Sequence, residues 1–95
     1  MGISTLVYRT LTGDHLLIRR IGKLPEYGRV IPQGQESNPV DDAALVTDSA
    51  KPWLSGVEPK ACAKYMSNHK PLAEVEGSRL KVFDAENDPY LTVRA

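Results

Sequence analysis

The first part of the chain alternates between apolar runs and a short polar turn. Residues 3–11 are rich in β-branched and aromatic types, which favour a strand. Residues 15–21 form a second apolar run of similar length, and the glycine between the two runs is suited to a turn. Together they predict a β-hairpin. The side chains of a strand point alternately to its two faces. In the second run, the side chains on each face are partly apolar, so we expect other parts of the chain to cover both faces of that strand.

Glycine and proline recur through the next segment, residues 22–39. They predict a long loop in which only residues 29–31 add one short strand. A loop of this kind in a small domain is often a functional surface, and the alternative is an excursion without a role. We therefore include residues 23–39 in the predicted contact surface.

Two helices are predicted in the middle of the chain. Asn38 can cap a helix that begins at the next residue, because proline fits the first helical position and two aspartates follow near the positive end of the helix dipole. This helix would run to about residue 47 or 48, and the alternative is a short strand over residues 43–47. A second helix is predicted to begin at Pro59, with an apolar stripe along one side. The residues of that stripe are Ala61, Cys62, Tyr65, Met66 and His69.

Strand patterns return in the last third of the chain. Residues 72–75 and 79–84 are separated by a glycine-containing turn, and residues 90–94 follow a polar turn cluster. Strands thus lie at both ends of the sequence and helices in the middle. This order predicts an α+β fold, in which a small, mainly antiparallel sheet of the N-terminal hairpin and the C-terminal strands packs against one or two short central helices. We expect one domain over residues 1–95.

Composition limits the classes of function. The chain has 95 residues, a mass of 10.5 kDa and equal numbers of acidic and basic residues. This length suits one small core and is too short for a nucleotide-binding α/β domain, an eight-fold β/α barrel or a typical kinase. No apolar run approaches the roughly 20 residues of a membrane-spanning helix, and the first residues do not resemble a secretion signal. Because Cys62 is the single cysteine, no internal disulfide can form, so we expect a cytoplasmic protein without membrane contact.

Charge is distributed unevenly along the chain. Residues 1–30 hold five basic and two acidic residues, whereas residues 31–59 hold one basic and five acidic residues. If the basic residues form one face, with tyrosines to stack on bases, they predict nucleic-acid binding as an alternative function. The other interpretation is that the arginines pair with acidic residues of the middle segment. The basic face would comprise Arg9, Arg19, Arg20, Lys23 and Arg29, with Tyr8 and Tyr27 beside it. The acidic partners would be Asp41, Asp42 and Asp48.

Residue types that carry catalysis or bind metals do not come together in the sequence. Cys62 and His69 lie two helical turns apart, about 10 Å along the predicted helix, which is too far to share a metal ion unaided. His15 is not predicted to reach either of them, and the sequence contains neither a phosphate-binding loop nor a dinucleotide fingerprint. We therefore predict no metal site, no cofactor and no catalytic residue.

The leading hypothesis is a small intracellular, non-enzymatic protein-interaction module: an adaptor, an inhibitor or an assembly component, of a kind that phage and plasmid genomes encode. Trp53 belongs to its predicted surface because tryptophan is common at binding hot spots, although such a residue can equally anchor a loop to the core. Residues 90–94 are predicted to form an edge strand through which two copies of the chain pair. The predicted interaction residues are Arg19, Arg20, Lys23, Tyr27, Arg29 and Trp53. The alternatives are the nucleic-acid-binding protein described above and a small ligand-binding protein or enzyme.

Overall fold

A computed structural model describes residues 2–46, 56–84 and 88–92 of the chain. The strands are β1 (Ile3–Arg9), β2 (His15–Ile21), β3 (Leu24–Ile31), β4 (Gly56–Val57), β5 (Ala73–Glu76) and β6 (Arg79–Val82). The helices are α1 (Pro39–Ala43), α2 (Pro59–Asn68) and a 3-10 helix (Pro89–Thr92). All neighbouring strands are antiparallel, in the order β4-β3-β2-β1-β5-β6. The predicted α+β fold is therefore confirmed.

The hairpin of β1 and β2 occupies the middle of the sheet, and both of its faces are largely buried. Val7 and Leu17 belong to a core cluster on the side against which α1 and the 3-10 helix pack, which we call the α1 face. Leu6 and Ile18 belong to a second cluster on the opposite side, against which α2 packs, which we call the α2 face. The apolar residues on both sides of β2 are thus covered, as its alternation predicts.

The segment predicted as a loop contains the eight-residue strand β3, so the loop prediction is wrong over residues 24–28. Pro25 lies beside a register shift in the pairing of β2 with β3, where Glu26 is left without a partner in β2, and beyond the part of β3 that pairs with β4. This is a position where a strand tolerates a missing N–H. Gly28 does not have a positive φ; instead, a Cβ there would lie 2.7 Å from the Sγ of Cys62. Glycine at this position therefore permits close packing of the helix on the sheet.

Helix α1 begins as predicted and ends early. Asn38 is extended, and its Oδ1 accepts a hydrogen bond of 2.9 Å from the amide of Asp41. After Ala43, the amides of residues 44–46 bond to carbonyls three positions earlier, which is the tighter geometry of a 3-10 turn. This turn carries the fully buried Val46 into the core on the α1 face. The rest of the predicted helix lies outside the described residues.

Helix α2 begins at Pro59 as predicted and packs on the α2 face. Cys62 is fully buried there, and the half-buried ring of Tyr65 meets the ring of Tyr8 edge-on, with 5.1 Å between centroids. The buried stripe is narrower than predicted, because two of its members are exposed. These two are Ala61 and His69. No helix in the described part of the chain is long and apolar enough to cross a membrane.

In the C-terminal part, two predicted strands are confirmed with changed bounds, and a third is wrong. β5 and β6 pair around a two-residue turn as predicted, but the predicted strand over residues 90–94 is wrong, because Pro89–Thr92 form the 3-10 helix and the last two residues of that strand lie outside the described residues. The Asp88 carbonyl and Oδ1 accept hydrogen bonds of 3.1 Å from the amides of Leu91 and Tyr90 respectively, which starts the tight turn. Tyr90 and Leu91 are buried in the core. The predicted self-pairing through this segment therefore has no strand to use within the described residues.

Candidate interaction surface

Arg19 and Arg20, two of the predicted interaction residues, lie on opposite faces of the sheet. Consecutive residues of a strand alternate in direction, so Arg19 joins the α1 face and Arg20 the α2 face. Arg19 Nε lies 2.8 Å from Glu26 Oε1, and Arg20 Nη2 lies 2.8 Å from Glu74 Oε2. Within the described residues, these carboxylates pair with the two arginines, and neither Asp41 nor Asp42 does. Asp48, the third predicted partner, lies outside the described residues. The two arginines therefore do not form one basic patch.

The remaining predicted residues lie in different surroundings. Arg29 is buried, and its guanidinium donates to the carbonyl of Val46 at 3.4 Å and lies 5.9 Å from the ring centroid of Tyr27. Lys23 occupies the exposed turn between β2 and β3, and Trp53 lies outside the described residues. Tyr27 is the cross-strand partner of Arg19, so Arg19, Tyr27 and Arg29 share the α1 face. Over the ranges that the structure describes, the predicted set is thus divided between the two faces of the sheet, and Arg29 packs inside the fold.

Strand β6 forms one edge of the sheet. Among residues 2–46, 56–84 and 88–92, its neighbouring strand is β5 on one side and none on the other. Three of its four residues are exposed, and Phe83, which follows the strand, is also exposed. An unpaired strand edge presents backbone donors and acceptors to other chains. β6 is therefore a candidate site for binding an extended segment.

The outward backbone groups of β6 belong to Leu80 and Val82. In an antiparallel pair, residues that bond to the partner strand alternate with residues whose N–H and C=O groups face away. The amide of Phe83 donates to the carbonyl of Leu72 at 2.8 Å, so Phe83 and the residues two and four positions before it face β5. The N–H and C=O groups of Leu80 and Val82 consequently face the open edge.

The side chains of β6 divide by chemistry between the two faces of the sheet. Arg79 and Lys81 stand opposite the two glutamates of β5, on the α2 face. Leu80 and Val82 stand on the α1 face. Lys81 Nζ lies 5.6 Å from the ring centroid of Phe83, so the phenyl ring lies on the same face, next to the C-terminal end of the cationic row. One side of the edge is therefore cationic and the other apolar.

A groove of about 460 Å³ accompanies the cationic row. It is lined by Glu74, Glu76, Arg79, Leu80 and Lys81. Hydrogen bonds, first from Arg20 and then from Ser4, hold the pKa of Glu74 below its usual range. Glu74 is therefore ionised at neutral pH and tied to Arg20, which places this one predicted interaction residue beside the groove.

Comparisons with known proteins offer no relative from which to infer function. No protein-family model matches the chain, and no curated protein or solved structure matches it. In the described residues, no group of three or more histidine, cysteine, aspartate or glutamate side chains is arranged to hold a metal ion. Function must therefore be inferred from the surface chemistry of the chain.

None of the residues of the candidate edge, 79–83, is among the predicted interaction residues. A strand is predicted over residues 79–84, and cations at alternate positions are a common protection of edge strands, so this alternation was the available signal. The position of a strand at an edge depends on which strands pair across the whole chain, and a local pattern does not specify that pairing.

Proposed function

We propose that this chain is a small protein-interaction module that binds an extended segment of a partner protein along β6. The exposed edge strand carries the proposal, because the N–H and C=O groups of Leu80 and Val82 face outward from it. A partner segment would continue the sheet through main-chain hydrogen bonds. An adaptor, an inhibitor or an assembly component would use binding of this kind.

Charge and apolar surface select the partner's side chains. On the α2 face, an added strand would lie beside Arg79 and Lys81, where acidic side chains form favourable cross-strand pairs. On the α1 face, it would lie beside Leu80 and Val82, where apolar side chains are favoured. The partner segment therefore alternates acidic and apolar residues. The sequence of β5, Ala-Glu-Val-Glu, has this alternation on the inner side of β6.

A second copy of the chain fits this edge less well. If two β6 strands paired about a twofold axis, each face of the sheet would continue from one copy into the other. The cationic rows would then become neighbours, with Arg79 of one copy near Lys81 of the other. Like charges at opposed positions destabilise a sheet. We therefore expect a monomer of 10.5 kDa at concentrations where the acidic partner binds.

Binding of a synthetic peptide of alternating valine and glutamate residues tests the proposal, with the chain labelled with ¹⁵N. We expect the amide resonances of Leu80 and Val82 to shift and their exchange with solvent to slow, because their N–H groups become hydrogen-bonded. Added salt should weaken the binding, since the cationic row contributes charge pairs that salt screens.

Three further peptides separate the backbone contribution from the charge contribution. In two of them, alternate amides of the valine–glutamate peptide are methylated, in one register or the other. Both retain the side chains, but one of the two loses the N–H donors that would face β6. At least one of the two should therefore not bind. A valine–lysine peptide retains the strand pattern and reverses the charge, and should bind more weakly. Equal binding by all of these peptides would contradict the edge-strand model.

Variants locate the binding on the chain. Lys81→Gln should weaken binding of the valine–glutamate peptide, whereas Lys60→Gln, which removes the same charge from an exposed position of α2, should not. Shifts confined to strands other than β5 and β6 would refute the proposed site. Tighter binding of an oligonucleotide than of the acidic peptide at low salt would favour the nucleic-acid alternative instead.

A further inference from the structure

A cavity of about 310 Å³ lies at the end of the sheet where β1 stops and β2 starts. The loops over residues 10–14 and 32–38 and the 3-10 helix surround it. Its polar lining includes Arg9, His15, Gln33, Glu36, Ser37 and Asp88, and Tyr90 contributes its ring. None of these residues belongs to β6, so the cavity is separate from the proposed interaction edge.

His15 is one of two buried polar residues in the lining of this cavity, and Asp88 is the other. Only 3 % of its side chain is exposed, and its Nε2 lies 3.0 Å from Asp88 Oδ2. Because a carboxylate only accepts hydrogen bonds, Nε2 carries the hydrogen. The Asp88 carboxylate is held in turn by the amide of Tyr90 at 3.1 Å and by Arg9 at 3.7 Å. The orientation and tautomer of the imidazole are thus set by Asp88.

The other ring nitrogen of His15 lacks a hydrogen-bond partner among the described residues. In a neutral imidazole with hydrogen on Nε2, Nδ1 is an acceptor. It faces Glu36 Oε2 at 3.8 Å, which is a second acceptor and lies beyond direct hydrogen-bond distance. A buried acceptor without a donor is costly. With the imidazole neutral, the arrangement leaves His15 and Glu36 as two acceptors without a donor between them.

A group with two or more N–H hydrogens satisfies both acceptors at once. A nitrogen about 2.8 Å from each atom is compatible with their separation. Because almost none of the surface of Nδ1 is accessible to solvent, the side chains around it have to shift to admit that nitrogen. Positive charge is favoured there, because the carboxylates of Glu36 and Asp88 outnumber the one guanidinium. The ring of Tyr90 packs on His15 with 4.2 Å between centroids, and its hydroxyl donates to Asp42 Oδ2 at 2.8 Å. This packing holds the imidazole in place from its side.

We infer that the cavity binds a primary ammonium group, held between Nδ1 of His15 and the carboxylate of Glu36. A free small amine, a lysine side chain and the amino terminus of a peptide share this chemistry. Nα-acetyl-lysine amide, which presents only the side-chain ammonium, and glycinamide, which presents only the α-ammonium, distinguish the two peptide sources from methylammonium, the small free amine.

Titration with methylammonium, followed through the side-chain ¹⁵N resonances of His15, tests the inference. We expect the free protein to show hydrogen on Nε2 alone, and the Nδ1 resonance to move as the ammonium donates to it. Tetramethylammonium carries the same charge without N–H donors and should leave Nδ1 unchanged. The variant Glu36→Gln keeps an oxygen that can accept the hydrogen bond from the Gly34 amide. It should weaken methylammonium binding at least about tenfold, because it removes the carboxylate from a charge-assisted hydrogen bond.

Glu58→Gln is the matched control, because it removes one exposed carboxylate that does not line the cavity; it should leave methylammonium binding unchanged. Three results would overturn the inference. The first is an imidazole protonated on both nitrogens in the free protein at neutral pH. The second is an equal response to tetramethylammonium. The third is the absence of any Nδ1 shift with methylammonium, in which case a water molecule bridges the two acceptors.

Discussion

At the scale of single residues, the contact between Gly28 and Cys62 shows how closely α2 approaches the sheet. A Cβ at Gly28 would lie 2.7 Å from Cys62 Sγ, 3.2 Å from Val57 Cβ and 3.5 Å from a side-chain carbon of Ile18. The sulfur is held in place by the helix and by a 3.4 Å contact with the carbonyl of Val57. Because these neighbours are buried or part-buried, they cannot move aside without disturbing other contacts.

Gly28→Ala should therefore lower the free energy of unfolding by about 1–3 kcal/mol, as overpacking of a filled core does. Urea unfolding measures this loss. In a Cys62→Ala background, the sulfur is gone, so the same glycine substitution should cost clearly less, and the difference between the two backgrounds gives the coupling energy. An equal cost in both backgrounds would show that the strain lies elsewhere, at Val57 or in the backbone.

At the scale of secondary-structure elements, the cap of α1 has unusual weight because the helix has only five residues. Asn38 Oδ1 accepts a hydrogen bond of 2.9 Å from the amide of Asp41. This bond satisfies a backbone N–H of the first turn that has no acceptor within the helix. Asn38→Ala should lower the free energy of unfolding by about 1 kcal/mol, measured by urea unfolding. Asn38→Ser keeps an acceptor and should recover most of the loss; if serine destabilises as much as alanine does, the cap is not the cause.

Local signals predict the elements whose determinants are close in the chain. Each of the two hairpins joins strands that are consecutive in the chain, and the start of α1 at Asn38 depends on residues within the first helical turn. β3 is different, because Pro25 and Gly28 are ordinary loop signals. They are acceptable in a strand because β4 stops short of Pro25 and because Cys62 packs on Gly28. Both reasons are tertiary, so the local sequence did not contain them.

The candidate sites follow the same division. β6 is predicted as a strand from its own alternation, but its place at an edge arises because β5 pairs with β1, far away in the chain. The cavity is further from local prediction, since its central hydrogen bond joins His15 to Asp88, 73 positions apart. In the sequence, His15 is a candidate only as a partner for Cys62 or His69, whereas the fold places His15 and Cys62 on opposite faces of the sheet.

At the scale of the whole molecule, two carboxyl groups should give stability opposite dependences on pH. Burial raises the pKa of Asp42, and hydrogen bonds from Tyr90 and Ser37 offset only part of that effect. The folded state therefore keeps this proton to a higher pH than the unfolded state does. In contrast, hydrogen bonds from Arg20 and Ser4 lower the pKa of Glu74, so the folded state releases that proton first.

The signs follow from which state binds more protons. Glu74 contributes stability that is fully present above its unfolded pKa of 4.5 and is lost as the pH falls through the lower folded value. Asp42 does the reverse: as the pH rises from its unfolded pKa of 3.8 to the higher folded value, stability falls, and above that value the loss is complete. The summed contribution of the two groups should rise from strong acid and then decline.

Urea unfolding of four chains, the unmodified chain, the two single variants and the double variant, from about pH 3 to about pH 7 separates the two contributions. Asp42→Asn keeps an oxygen that can accept from Tyr90 and Ser37 but cannot ionise, so its stability should not show the decline. Glu74→Gln cannot gain the charge that Arg20 binds, so its stability should lack the rise at low pH. The groups lie on opposite faces of the sheet and share no hydrogen-bond partner, so the double variant should combine both changes additively. A decline that persists unchanged in Asp42→Asn would assign it to another group, and non-additive profiles would mean that the two faces of the sheet are coupled through the hairpin between them.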